Sequence, residues 1–369
     1  MKYVKNFEET KQRFKSFWKR KEADRCCIAI TAPKDNSVWP NFGSPTLEKQ
    51  WLDSEYRFSM LNSYMEITAY YGEALPNICP NYGPGVLAAF AGSDFELDNG
   101  TVWFDRNPML KTIESISPLK LNSSSPMWQS LRQLTNLAFK NDVFLATTDI
   151  GGTLDIAASF RGAENILMDL IEYSEEIKKL CDYIDDFWIE IFTKLTDEIG
   201  ANQDGYTAWL SLWNDKKWYP LQCDLSVMIS KEMFNDFVVP SLTKQAKAMD
   251  TALYHLDGPG EIQHLDSIMA IKGINAIQWV PMPKPNGYLD NANPEYFPMY
   301  RKILENNKSL VLNLVDPDCV EFLLSNIPNK GLYISTSVAS EKRAKELIKI
   351  AENCYKKSPK LYKERSVLS

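Results

Sequence analysis

The chain carries two histidines, His255 and His264, so any imidazole chemistry has one address. His255 stands in the segment Tyr254-His255-Leu256-Asp257-Gly258-Pro259-Gly260. At the two-residue period of a strand, His255 and Asp257 project to the same side, and Gly258-Pro259-Gly260 then turns the chain at once into a helix. An imidazole and a carboxylate so placed offer two ligands to a divalent metal. They equally offer an acid/base pair in which the carboxylate fixes the imidazole tautomer. A satisfied histidine closing the strand end is the bland alternative. His264, two residues before Asp266, falls inside the following helix beside Leu265 and Ile268 and reads as a packing and hydrogen-bonding feature.

Other residues could complete such a site. Cys223-Asp224 follows an aromatic stretch at 213–219 and precedes Ser230, a natural N-cap for the next helix. Its thiol and carboxylate are candidates to join His255 and Asp257: thiolate and imidazole favour zinc, whereas carboxylates admit harder ions. A lone cysteine is also a small buried hydrophobe, and Cys319, just past Asp316-Pro317-Asp318, is a weaker candidate of the same kind. Asp149, beside Gly151-Gly152, can act as a base, bind a cationic or hydroxylated substrate group, or simply cap the turn. Trp209, Tyr254 and Trp279, with Gln278 and Asp224, are candidates to line a substrate pocket, although core packing explains the aromatic members equally well.

The elements that must position these groups follow a rhythm. Short apolar runs at 143–148, 206–212, 252–256, 276–280, 310–315 and 332–335, with 26–31 as an earlier member, alternate with helical patterns at 128–140, 163–198, 231–249, 260–270, 295–307, 317–326 and 340–357. Nearly continuous apolar strands, each followed by a helix, imply a parallel sheet buried on both faces. Seven or so such units without a glycine fingerprint after the first strand predict a closed (β/α)8 TIM barrel rather than an open nucleotide-binding sheet. The site is then expected at the C-terminal ends of the strands, where Asp149, Trp209, His255, Gln278, Asn313 and Ser335 fall. Residues 1–126 read as an N-terminal helical and loop elaboration, with helical periodicity at 5–24 and 46–72. Residues 127–369 carry the main repeats, the whole forming one domain.

Composition narrows the function classes. In 369 residues, 41 basic against 48 acidic side chains leave a net charge of −7, without the concentrated basic face that nucleic-acid binding needs. No signal-peptide pattern or membrane-spanning run is evident, and the seven cysteines contain no Cys-x-x-Cys pair. The expectation is a cytoplasmic protein with reduced thiols.

Three segments carry a family resemblance: Ser230-Lys-Glu-Met-Phe-Asn-Asp-Phe-Val-Val-Pro240, Tyr254-His-Leu-Asp-Gly258 and Gly273-Ile-Asn-Ala-Ile-Gln278. Together they resemble the C-terminal half of the uroporphyrinogen decarboxylase superfamily, which includes porphyrinogen decarboxylases and zinc-dependent corrinoid methyltransferases. The resemblance implies a (β/α)8 barrel and departs from both branches at the site. The Arg-rich substrate motif of the decarboxylases is missing from 19–33, which holds Arg20 and Arg25. Where the methyltransferases bind zinc through His-x-Cys and a later Cys, this chain has His255-x-Asp257 and, around Ser335-Thr-Ser-Val338, no thiol. The expectation is therefore a methyltransferase-like enzyme acting on a small substrate. Its catalytic residues would be His255, Asp257 and Asp149; its zinc or other divalent metal would be held by His255, Asp257 and Cys223; a corrinoid would be carried by a partner protein. A homodimer is also admitted. The alternatives are a metal-free decarboxylase or lyase, in which Asp149 or Asp257 supplies fixed negative charge, and a barrel that binds a small ligand without turning it over.

Overall fold

The computed structural model describes Val4 and residues 6–365, with side chains through Cys354. Among the described residues there are nine strands: β1 (Cys27–Pro33), β2 (Thr68–Gly72), β3 (Glu96–Leu97), β4 (Val102–Trp103), β5 (Trp218–Leu221), β6 (Thr251–Asp257), β7 (Ile274–Val280), β8 (Ser309–Leu312) and β9 (Leu332–Ser337). Seven of them form one sheet in the order β2-β1-β9-β8-β7-β6-β5, all parallel except β2, which runs antiparallel to β1. β3 and β4 pair separately as a small hairpin.

The α/β architecture and the βα alternation agree with the sequence reading, but the expectation of a closed barrel is corrected: β2 and β5 are edges, and the hydrogen-bonded sheet does not close. Among the described residues, the segments between the two edges make single parallel bridges, Ile78 to Leu145 and Ala146 to Thr207, with a local antiparallel bridge from Tyr206 to Asn214. Proline accounts for part of this. Pro76 and Pro80 flank Ile78 and withhold donors there, and Pro220 lies within β5, where only an edge strand tolerates a missing N–H. The expected strand at 206–212 is likewise replaced by those bridges, and the neighbouring strand forms instead from the aromatic stretch at Trp218–Leu221. The helical pattern at 46–72 ends at Ile67, after which Thr68–Gly72 is strand β2. The pattern at 163–198 divides into Ala163–Glu172 and Ser174–Asn202. Among the described residues no helix is long and apolar enough to cross a membrane.

Strand alternation sorts side chains into two layers. Along β6, Ala252, Tyr254 and Leu256 join the large cluster under the helices, whereas Leu253 belongs with Trp218, Ala276, Val311 and Tyr333 in a second cluster on the other face. His255 and Asp257 share the phase of Leu253 and so lie on that second face, at the C-terminal end of β6.

At β1 the sheet is anchored by a buried ion pair. The Glu73 carboxylate, fully buried, accepts from Arg25 Nη1 at 2.6 Å and Nη2 at 2.9 Å, and from the Ile28 backbone N–H at 2.8 Å. Arg20 donates to the carbonyls of Lys308 at 2.6 Å and Leu304 at 2.8 Å. The two arginines of the 19–33 region thus bond within the protein scaffold. Glu73→Ala leaves Arg25 buried and unpaired and is expected to cost about 3–5 kcal/mol; a urea unfolding midpoint equal to that of the unaltered protein would refute this.

Candidate active site

β6 and β7 pair so that His255 lies opposite Gln278. The consequence is a 2.7 Å contact between His255 Nδ1 and Gln278 Oε1, on a glutamine that is almost fully buried. A carbonyl oxygen only accepts, so Nδ1–H is the donor in this contact. The indole of Trp209 meets the imidazole edge-on, with ring centroids 4.9 Å apart at 85°. Two residues on, Asp257 is exposed at the strand end, and its backbone N–H donates to Glu261 Oε2 at 3.0 Å.

A second carboxylate arrives from the neighbouring strand. Beyond β5, Asp224 opens a 3-10 turn, Asp224–Met228, and ligand atoms of Asp224, His255 and Asp257 all lie within 4.8 Å of one another. The turn is held from beneath by Asp155, on the first turn of the helix Thr153–Arg161, whose carboxylate accepts from the N–H groups of Asp224 (3.0 Å) and Leu225 (2.8 Å). Gly152 permits this approach, since a Cβ there would sit 2.1 Å from the Gln222 carbonyl oxygen. The Gly151-Gly152 pair therefore allows two backbone segments to come close together.

Desolvation dominates the electrostatics. It raises the Asp155 carboxyl, with the charge of Asp224 adding to it and the two backbone donors opposing. It also raises Asp224, where His255 opposes and Asp257 adds. Burial pushes Asp149 up to about 6 against donors from Gly151 N–H and the Tyr219 hydroxyl, and Glu261 up to about 9 against the Asp257 N–H.

The structure brings Asp224, His255 and Asp257 together, with Gln278 and Trp209 touching the imidazole, and places the other sequence candidates elsewhere. Cys223, one residue from Asp224, is buried in the helix-side cluster, its thiol raised by burial, and does not join the three ligand atoms. Tyr254 and Trp279 are fully buried in that same cluster, on the opposite strand phase from His255 and Gln278, so they line no pocket with them. Asp149 caps its turn through Gly151 N–H at 2.9 Å and accepts from the Tyr219 hydroxyl at 2.8 Å, while its charge reaches His255. Cys319 lies near the Lys284–Asp316 ion pair, apart from the cluster. His264 is fully buried, stacked on Phe234 at 4.2 Å, and its Nε2–H donates to the Ser226 carbonyl at 3.0 Å.

Two residues escaped the sequence reading, Asp155 and Glu261. The signal for Glu261 was present: it stands three residues after Gly258, the N-cap-to-N3 spacing at which a glutamate reaches back to a backbone N–H. Asp155 had no comparable signal, because its partners are 69 and 70 residues away.

No family model matches this chain, and no curated protein does. Among solved structures it is similar to a methyltransferase from Methanosarcina mazei, with a TM-score of 0.60 at 12% identity over 94% of this chain and 99% of that one. At that identity the likeness is one of fold.

Gly152→Ala forces a methyl group into the Gln222 carbonyl and is expected to destabilise by about 1–3 kcal/mol, whereas Gly100→Ala, with open space around it, leaves stability unchanged. Paired urea titrations decide this, and equal midpoints for the two variants would contradict the close approach.

Proposed function

We propose that this chain is a methyltransferase-like enzyme that works with a divalent metal ion held by Asp224, His255 and Asp257, acts on a small substrate and exchanges a methyl group with a corrinoid carried by a partner protein. The observation that carries the metal is the convergence of one ligand atom each from Asp224, His255 and Asp257 within 4.8 Å of one another, with the imidazole oriented by the contact between Nδ1 and Gln278 Oε1. Metal-binding histidines habitually donate their other N–H to a carbonyl or carboxylate in this way. Two carboxylates and a neutral imidazole match the charge of a dication, and their donor atoms suit zinc as well as harder ions such as manganese. A divalent ion there would supply Lewis acidity to a substrate oxygen or sulfur.

The residues around it have separable tasks. Gln278 fixes the imidazole tautomer, Asp155 holds the turn bearing Asp224, Trp209 packs against the imidazole, and the charge of Asp149 favours any positive charge developing on His255. The methyl-transfer part of the reading is supported by the fold shared with the Methanosarcina mazei methyltransferase and by the sequence resemblance above.

Protein purified without chelator is expected to carry metal in stoichiometric amount by elemental analysis. His255→Ala, Asp224→Asn and Asp257→Asn are each expected to weaken Mn2+ or Zn2+ binding by more than the roughly 10–100-fold typical of outer-sphere changes, with circular dichroism unchanged. Undiminished binding in all three variants would defeat the metal assignment. Carbon dioxide release from a carboxylated substrate by metal-free protein would replace it with the lyase reading.

A further inference from the structure

Asp224 and Asp257 come from different loops, yet ligand atoms of the two carboxylates lie within 4.8 Å of each other, where like charges oppose the approach. Something must hold the two loops at ligating distance when no cation is there to do so. The structure provides three fixed points between or beside them. Glu261, fully buried, accepts the Asp257 N–H at 3.0 Å and so ties the ligand's own backbone to the turn Pro259–His264. His264, at the end of that turn, donates from Nε2 to the carbonyl of Ser226, which lies inside the turn carrying Asp224. Between these bonds the two turns touch so closely that a Cβ at Gly260 would lie 3.3 Å from Val227 Cβ and Cγ1.

We infer that this buried turn is a clamp that sets the separation of the two carboxylate ligands, with Glu261 as a positioning residue for the metal. The inference rests on the metal assignment above. Glu261 is not one of the three ligating residues; it acts on Asp257 through the backbone. Pre-organisation of this kind is gained in affinity, because less ordering is left to occur when the ion binds.

The test is Mn2+ affinity of the full-length chain by titration calorimetry, with free Mn2+ counted by electron paramagnetic resonance, alongside thermal melting without metal. Glu261→Leu removes the acceptor and is expected to weaken Mn2+ by about 10–100-fold, the range for lost outer-sphere support. Glu261→Gln keeps a carbonyl oxygen for the Asp257 N–H and is expected to stay close to the parent. Gly260→Ala, which displaces Val227 while leaving Glu261 in place, is expected to weaken Mn2+ as well and serves where Glu261→Leu does not fold. Failure of the unaltered protein to bind Mn2+ overturns the metal assignment and the clamp with it. Parent binding that persists unchanged in Glu261→Leu, or in Gly260→Ala, overturns the clamp alone. Loss in Glu261→Gln equal to that in Glu261→Leu also overturns it, since charge rather than the hydrogen bond would then be at work.

Discussion

Carboxylates crowded at the C-terminal end of β6 without matching cations are the constraint on which the site depends. Two acidic arrangements in this chain make the point by contrast. Glu73 is enclosed, yet two arginines face it, Arg25 at 2.6 Å and Arg13 at 3.5 Å. That arrangement is complete, and its role is to lock β1. Around His255, the charges that act on Asp149, Asp155, Asp224 and Glu261 come from one another, from Asp257 and from the imidazole, and no lysine or arginine is among them. Negative charge held in partial desolvation needs protons or a bound cation for balance, the imbalance on which the proposed metal reading draws.

The sheet turns this electrostatic problem into geometry. Alternation in a strand sends neighbouring side chains to opposite faces, so β6 buries Tyr254 and Leu256 under the helices and leaves His255 and Asp257 on the other side. The same rule in β7 separates Gln278 from Trp279, and the parallel register then sets Gln278 directly beside His255. At the end of β5 the change from strand to 3-10 turn parts Cys223 from Asp224, putting the thiol into the core and leaving Asp224 exposed beside His255. Cys223, one position from Asp224, is thus kept out of the Asp224-His255-Asp257 cluster by backbone phase alone.

That rule also explains how much was legible in advance. His255 and Asp257 could be paired from the sequence because both lie on one strand, with the period known. Asp224 could be named but not chosen over Cys223, since the choice turns on the phase in which β5 ends, and that strand formed at Trp218–Leu221 rather than at 206–212. The alternation of strands and helices from residue 251 onward was readable because each strand is a short apolar run bounded by turn residues. Closure was not, because it depends on pairing between segments interrupted by proline at 76, 80 and 220, where local apolarity says nothing about available donors. Asp155 belongs with the illegible part: its two backbone partners are distant in sequence, and only the packing of Gly152 against Gln222 brings them near.

Asp257 stands where the resembled methyltransferases carry a thiolate, and a carboxylate there has a chemical direction under the metal reading. Two thiolates and two carboxylates carry the same formal charge, so overall neutrality with a dication does not distinguish them. They differ in softness: thiolates donate electron density to the ion, while carboxylate oxygens leave it a harder and stronger acceptor. A stronger Lewis acid polarises a substrate oxygen more effectively and favours a soft thiol partner less. Cys223 does not reverse this, since it faces the core with its thiol pushed up by burial. Under the proposed metal reading, this ligand set would favour a substrate that meets the ion through oxygen, with the imidazole as nitrogen donor and the buried Gln278 oxygen orienting its ring.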